Sequence, residues 1–361
     1  MTTELLTNSF VTPVLSLRNR IVMAPMNRRR AENGIPNDAM VTYYRQRASA
    51  GLIITDNTAI APNGVAYLHT PGIYNAQQIQ GWKKITDAVH AEGGTIVMQL
   101  VHGGRVGHEH IQNGAPLIAP SAIAVNESIR TPDNSHRPMS MPVAIPTEKV
   151  AHWIDTFRQA AANAIEAGFD GVEVHAAHGF LIDQFINPHS NHRIDQYGGS
   201  IENRTRFLRE IMYAVVNEIG KNKTGIRLSP FRKIYDLDTY PEELETHRYI
   251  LDELQKLDIL YVHFSNAETN GVLTIPTPYL QEARERFNNI ILIAGGYNAA
   301  SAEALLQNGI VDLVAFGKLY ISNPDLVERI RNKVPLAPWN EDTFYRLGDK
   351  GYVDYPVAEP V

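Results

Sequence analysis

Residues Val150–His178 read VAHWIDTFRQAAANAIEAGFDGVEVHAAH and join one helix to one strand. Apolar side chains recur at Val150, Ile154, Phe157, Ala161, Ala164 and Ile165. Steps of three and four lay them along one helical stripe, and Gly168 is a natural stop. From Gly171, GVEVHAA has the length and composition of a strand. Seven further runs resemble it: RIVMAPM from Arg20, LIITDNT from Leu52, TIVMQLV from Thr95, GIRLS from Gly225, ILYVHFS from Ile259, IILIAG from Ile290 and VDLVAFG from Val311. Most are apolar on both alternating faces, as parallel strands covered on both sides must be. Helical segments separate most of them. One opens at Ser200 and runs from Glu202 to Gly220; another opens at Asn323-Pro324-Asp325, with an N-cap and a proline at N1. Strand and helix alternating eight times predicts an α/β protein, a (β/α)8 TIM barrel, with an open doubly wound sheet as the alternative.

No Gly-, Pro- or Ser-rich linker divides the chain, so residues 1–361 are expected to form a single domain. Gly103–Thr147 is long, rich in Pro and Ser and without helical period. It predicts a loop or small hairpin over the barrel mouth after strand 3, and the polar, aromatic stretch after Pro335 is expected to fold back over the same mouth. The net charge of −6 and pI near 6.1 argue against nucleic acid or an anionic membrane as partner. Without cysteine there is no disulfide, thiolate metal site or cysteine nucleophile. No basic and apolar leader and no run of 18 apolar residues is visible, which points to a cytoplasmic protein and leaves its oligomeric state open.

Active sites of such barrels sit at the C-terminal ends of the strands. Those ends here carry Pro25, Met26 and Asn27, then Asn57, Gln99 and His102, His175 and His178, Arg227, Gly295 and Gly296, and Gly317 and Lys318. Polar groups at buried strand ends cost free energy unless they meet partners. Ala294-Gly295-Gly296 and Phe316-Gly317-Lys318 suit a phosphate held by backbone N–H groups, or simply two tight turns. Arg227 must face a carboxylate, a phosphate or an electron-rich ring. Gln99 both donates and accepts, which suits the edge of a heterocycle. His175 and His178 can be structural, metal-binding or aimed at one substrate oxygen. The metal option is weak without cysteine or an HExxH pair, so no metal is expected. No GxGxxG follows a strand, so a firmly held nicotinamide cofactor is not expected.

RIVMAPMNRRR, GLIITDNT, QLVHGGR, VEVHAAHGFLIDQFINPHSNHRIDQYGGSIENR, GIRLSP, AGGY, VAFGKLYISNPDL and GYVDYP together resemble the Old Yellow Enzyme family of FMN-dependent ene-reductases over nearly the whole chain. Within it the chain resembles most the bacterial branch that contains N-ethylmaleimide reductase and pentaerythritol tetranitrate reductase. The resemblance implies non-covalent FMN at the barrel mouth and NAD(P)H as a transient hydride donor. It implies a small electrophilic alkene as substrate: an α,β-unsaturated carbonyl, a maleimide or a nitroalkene. Ala294, Gly295, Gly296, Gly317 and Lys318 would then hold the phosphate. Arg227 and Gln99 would meet the pyrimidine edge, and Pro25, Met26, Asn27 and Asn57 the N5–O4 side. His175 and His178 would bind the substrate carbonyl oxygen, with Tyr67 and Tyr352 in the pocket wall.

The family's proton-donating tyrosine falls two residues after the second histidine, where this chain has Phe180. A phenyl ring has no proton to give, and general acid catalysis is typically worth roughly 10²–10⁴ in rate. Another group or water can supply the proton, the substrates can be highly activated, or the chemistry can have moved to alkene isomerisation or to nitro or nitrate-ester reduction. A non-catalytic flavin module is a further alternative. A barrel aldolase is not, because ILYVHFS offers no Schiff-base lysine. Asn27 stands where the family has threonine, with an amide that can still donate. Val101 replaces a frequent tryptophan, and Lys318 an arginine.

Overall fold

The computed structural model describes residues 4–358 except 267, 270 and 271. Eight parallel strands close a barrel: β1 (Ile21–Met23), β2 (Leu52–Ala59), β3 (Ile96–Val101), β4 (Gly171–Ala176), β5 (Thr224–Leu228), β6 (Tyr261–Ser265), β7 (Ile290–Ala294) and β8 (Leu313–Phe316). Each pairs with its neighbours in sequence, and β8 closes on β1. Eight helices cover the outside: α1 (Asp38–Arg45), α2 (Ala76–Ala91), α3 (Val150–Glu166), α4 (Arg206–Ile219), α5 (Glu243–Leu257), α6 (Thr277–Arg286), α7 (Ala299–Gln307) and α8 (Leu326–Asn332). The TIM barrel expected from the strand and helix alternation is therefore the fold.

Successive residues of a strand face opposite sides. Val172 and Val174 of β4 join the apolar layer beneath the helices, together with Ile226 and Leu228 of β5 and Val262 and Phe264 of β6. Val22, Ile54, Val97, Leu292 and Leu313 form a separate inner cluster with Tyr261. That cluster fills the lower barrel. Above it, the inward positions of β3, β4, β5 and β6 are Gln99, Glu173, His175, Arg227 and His263, all buried. The register sets them side by side: Gln99 beside Glu173, His175 beside Arg227, and Arg227 beside His263. Gly225 is needed on β5 because a Cβ there would lie 2.3 Å from the Tyr261 ring.

α3 buries Val150, Phe157, Ala161 and Ala164 of the expected stripe, while Ile154 and Ile165 at its edges are only half-buried. The excursion after β3 holds a short parallel pair (Ile118–Ala119 with Val143–Ala144) and an antiparallel hairpin (Ser128–Arg130 with His136–Pro138). Ile129 of that hairpin packs with Val106, Met139 and Phe180 in a small apolar cluster at the mouth. The C-terminal stretch does fold back: the buried Arg28 guanidinium donates to the carbonyls of Phe344 (3.1 Å) and Gly351 (2.7 Å). Arg30 donates to those of Thr343 (2.8 Å) and Gly348 (3.0 Å).

Candidate active site

The polar upper layer of the barrel is one connected network. Glu173 accepts from Gln99 Nε2 at 2.6 Å and from His263 Nδ1 at 2.8 Å. Burial pushes the Glu173 carboxyl up, but His263, Arg227 and Gln99 outweigh it and hold it below its ordinary value. Burial takes His263 down to about 4, so at neutral pH it is an uncharged donor to that carboxylate. Arg227 is also lowered by burial, to about 10, and remains a cation. One of its Nη atoms lies 3.4 Å from Ser265 Oγ, and its Nε has no partner. A buried cation with a free N–H has room for one more acceptor, which a bound ligand or water can supply.

His175 ends β4, and His178 lies in the turn just beyond it. His178 has φ +59° and Gly179 φ +72°. A left-handed non-glycine residue is uncommon, and this one is held from several sides. The His178 N–H donates to Ser229 Oγ (2.9 Å), the Gly179 N–H donates to Asp183 (2.8 Å), and the His178 ring meets Ser265 Oγ (2.7 Å). The turn lifts the second imidazole beside the first, ring centres 5.2 Å apart and nearly perpendicular. Burial, then Arg227, keeps both far below the ordinary histidine range. Both rings are neutral, each with one N–H, and His175 Nδ1 has no protein partner. The pair can present donors to an oxygen on which negative charge develops.

Two adjoining lobes open over this layer. The inner one, about 340 Å³, is lined by Gln99, His175, His178, Phe180 and Arg227, with Pro25, Asn27, Asn57 and Tyr67 on the β1 and β2 side. The outer one, about 370 Å³, runs past Pro25, Met26, Asn27 and Tyr67 to Gly317 and Lys318. Ala294, Gly295 and Gly296 lie at the end of β7, which pairs with β8 through Ala294 and Ala315, but they line neither lobe. Gly295 has φ +142°, and a Cβ there would sit on the Asn266 carbonyl. Lys318, at the edge of the outer lobe, pairs with Glu341 at 2.9 Å.

Two sequence expectations need correction. Tyr352 is not in the pocket wall: it is fully buried beneath the C-terminal fold, stacked on Tyr43 with ring centres 4.1 Å apart. Tyr345, seven residues earlier, lines both lobes instead. The Asn27 amide is not free to donate to a ligand, because its nitrogen is 2.7 Å from both Asn57 Oδ1 and Thr70 Oγ1. Its oxygen accepts from the Arg29 N–H at 3.0 Å.

Tyr345, Tyr235, Arg232 and Arg29 also reach the cavity, and the first three carried no signal of periodicity or motif. The triplet Arg28-Arg29-Arg30 after β1 was a visible hint, since three adjacent arginines at a strand end need partners. The Arg29 guanidinium lies 4.5 Å from the centre of the Tyr67 ring and 4.6 Å from that of Tyr345.

The sequence pattern of the NADH:flavin oxidoreductase / NADH oxidase family matches residues 11–337. Rice (Oryza sativa subsp. japonica) 12-oxophytodienoate reductase 1 is 42% identical over 355 residues, covering 96% of this chain and 91% of its own. Morphinone reductase superposes with a TM-score of 0.94 at 41% identity, covering 98% of this chain and 96% of its own. An Old Yellow Enzyme homologue from Zymomonas mobilis gives 0.93 at 36% identity, covering 98% of this chain and all of its own. Morphinone reductase in complex with tetrahydroNAD gives 0.93 at 40% identity, covering 98% of each chain.

Proposed function

The chain belongs to the NADH:flavin oxidoreductase / NADH oxidase family, the Old Yellow Enzyme family, and from that premise we propose that it binds FMN non-covalently and reduces electrophilic alkenes with NAD(P)H. Its substrate class is α,β-unsaturated carbonyls, maleimides and nitroalkenes. The observation that carries this reading is Arg227, a buried cation whose Nε lacks a partner, on the floor of a cavity that also holds two neutral histidines. The residues fit the group. Arg227 would answer the pyrimidine edge, where a reduced flavin carries negative charge. Gln99, oriented from below by Glu173, would offer its carbonyl and its second N–H to the same edge. Pro25, Met26 and Asn27 would flank the ring, with Asn57 holding Asn27 in place. The phosphate would lie toward the turns at Ala294, Gly295, Gly296, Gly317 and Lys318.

Bound there, FMN would supply the hydride, taken from NAD(P)H and passed to the β-carbon of the alkene. His175 and His178 do the rest of the polarisation. Each offers one N–H to the substrate carbonyl oxygen, fixed before charge develops on it. Neutral donors suit this role, since an imidazolium would bind anions of every kind in the resting state. Phe180 offers no proton, which favours substrates whose reduced anion is already stable, nitro compounds among them.

The test is direct. Purified protein should be yellow and release FMN on denaturation. Anaerobic NADPH should bleach it, and an enone, a maleimide or a nitroalkene should restore the colour with a saturated product. Colourless protein that cannot be reconstituted would refute the flavin reading. Isomerised product without net NAD(P)H consumption would replace reductase by isomerase, and reduced protein that no alkene reoxidises would leave only a flavin-binding module.

A further inference from the structure

Phe180 leaves a chemical gap, and the same cavity is lined by three phenols, Tyr67, Tyr235 and Tyr345. Tyr67 and Tyr235 both line the inner lobe, and their hydroxyl groups are hydrogen-bonded to each other. The Phe180 ring packs edge-on against both His175 and Tyr67, its centre 5.2 Å from that of His175 and 6.5 Å from that of Tyr67. Tyr235 is held rigidly. Its φ is +51°, the turn around it closes through reciprocal Ile234 and Leu237 backbone bonds, and Arg105 donates to its carbonyl at 2.5 Å.

We propose that Tyr235, hydrogen-bonded by Tyr67, supplies the proton to the substrate α-carbon in place of the tyrosine absent at Phe180. The proposal rests on the ene-reductase reading above. After hydride reaches the β-carbon, the electron pair of the former alkene lies on the enolate. The Tyr235 O–H bond breaks, a C–H bond forms at the α-carbon, and the enolate charge passes to the Tyr235 oxygen. With Tyr67 as donor of their shared hydrogen bond the Tyr235 hydrogen is free to transfer, and water later restores it. The surroundings keep the Tyr235 hydroxyl protonated until transfer, its pKa lying on balance above the ordinary value. Burial raises Tyr235, while Tyr67, Arg29 and Arg232 oppose that rise; Glu127 works against them. Arg29 lies over the Tyr67 ring, so the positive charge stands next to the pair. Tyr235 is thus the catalytic acid, and Tyr67 a positioning residue.

The experiment uses flavin-loaded protein and two substrates. With 2-methyl-2-cyclohexenone the α-carbon becomes a stereocentre. Tyr235→Phe should slow reoxidation by this enone about a hundredfold, within the range of general acid catalysis. It should also turn a single-enantiomer product into a mixture, because water reaches both faces. Reduction of a nitroalkene, whose product anion can leave without carbon protonation, should slow far less than reduction of the enone. Adding Phe180→Tyr to Tyr235→Phe should restore both enone rate and enantiomer ratio. A readout independent of turnover comes from ¹³Cζ-tyrosine NMR of the flavin-free protein, where Tyr67→Phe should move Tyr235 ionisation to higher pH.

Normal enone rate and an unchanged enantiomer ratio in flavin-loaded Tyr235→Phe would overturn the proposal alone. Protein that takes up no flavin would overturn the reading beneath it, and the proposal with it. An unmoved Tyr235 titration in Tyr67→Phe would refute the hydroxyl pair whether or not flavin is bound.

Discussion

Arg227 is a cation with an unanswered nitrogen, and that makes it the sharpest test of the cofactor edge. Its carboxylate neighbour, Glu173, is held independently by Gln99 and His263. Arg227→Met therefore keeps the network below it closed while removing the charge above. A hydrogen bond to a charged group contributes about 1.5–3 kcal/mol. The expected result is flavin affinity about ten- to a hundredfold weaker by fluorescence titration, with the flavin-free protein melting within a few degrees of wild type. Affinity unchanged would place the flavin edge elsewhere. The residue was legible in sequence because an arginine at the end of an apolar strand has few innocent explanations. Tyr235 was not, since it sits in an irregular turn whose left-handed residues Phe231, Tyr235 and Asp236 follow no period.

The C-terminal segment belongs to the site only because β1 ends in arginines that grip it. Arg28 is buried and spends its guanidinium on two carbonyls of that segment and on the Tyr43 hydroxyl, 3.3 Å away. Arg28→Met would leave the Gly351 carbonyl unanswered and the arginine grip on the tail to Arg30 alone, loosening the tail and with it the Tyr345 wall of both lobes. Proteolysis tracks the population of the open form, so a loss of about 1.4 kcal/mol in docking gives tenfold faster cleavage. Trypsin should cut at Arg346 or Lys350 at least roughly tenfold faster than in wild type, with the barrel left intact, and the KM for a bulky enone should rise. Equal cleavage rates would show that Arg30 and the aromatic packing of Phe344 and Tyr352 hold the tail without Arg28. Sequence reasoning placed this segment over the mouth but chose the wrong tyrosine. GYVDYP marks the segment, whereas which ring turns inward is set by the 3₁₀ turn Glu341–Thr343 and the arginine grip, neither of which has a sequence period.

At the scale of the molecule, the barrel was readable because its strands are apolar on both faces, and the exceptions to that rule, Gln99, Glu173, His175, Arg227 and His263, built the site. The same burial makes the fold sensitive to acid. Burial lowers His102 to about 3 and His247 and His263 to about 4, against 6.5 unfolded, and His175 and His178 shift the same way. These folded pKa values are depressed, so the stability they contribute is complete above about pH 6.5 and is lost as pH falls toward 4. Asp183 opposes them. Burial raises it from 3.8 to about 7, so the folded state holds its proton across the window in which the unfolded chain has released it. Burial raises Asp56 and Glu243 as well, but five depressed histidines outnumber these three carboxyls, so unfolding near pH 5 takes up protons on balance and stability falls with pH. The melting temperature should drop steadily from pH 7 to pH 5 in calorimetry at constant ionic strength. Asp183→Asn keeps an acceptor for the Gly179 N–H and removes the opposing proton, so its profile should be steeper than wild type over the same range. A flat wild-type profile would mean that the buried histidines are already protonated in the folded state, and the neutral clamp at His175 and His178 would lose its basis.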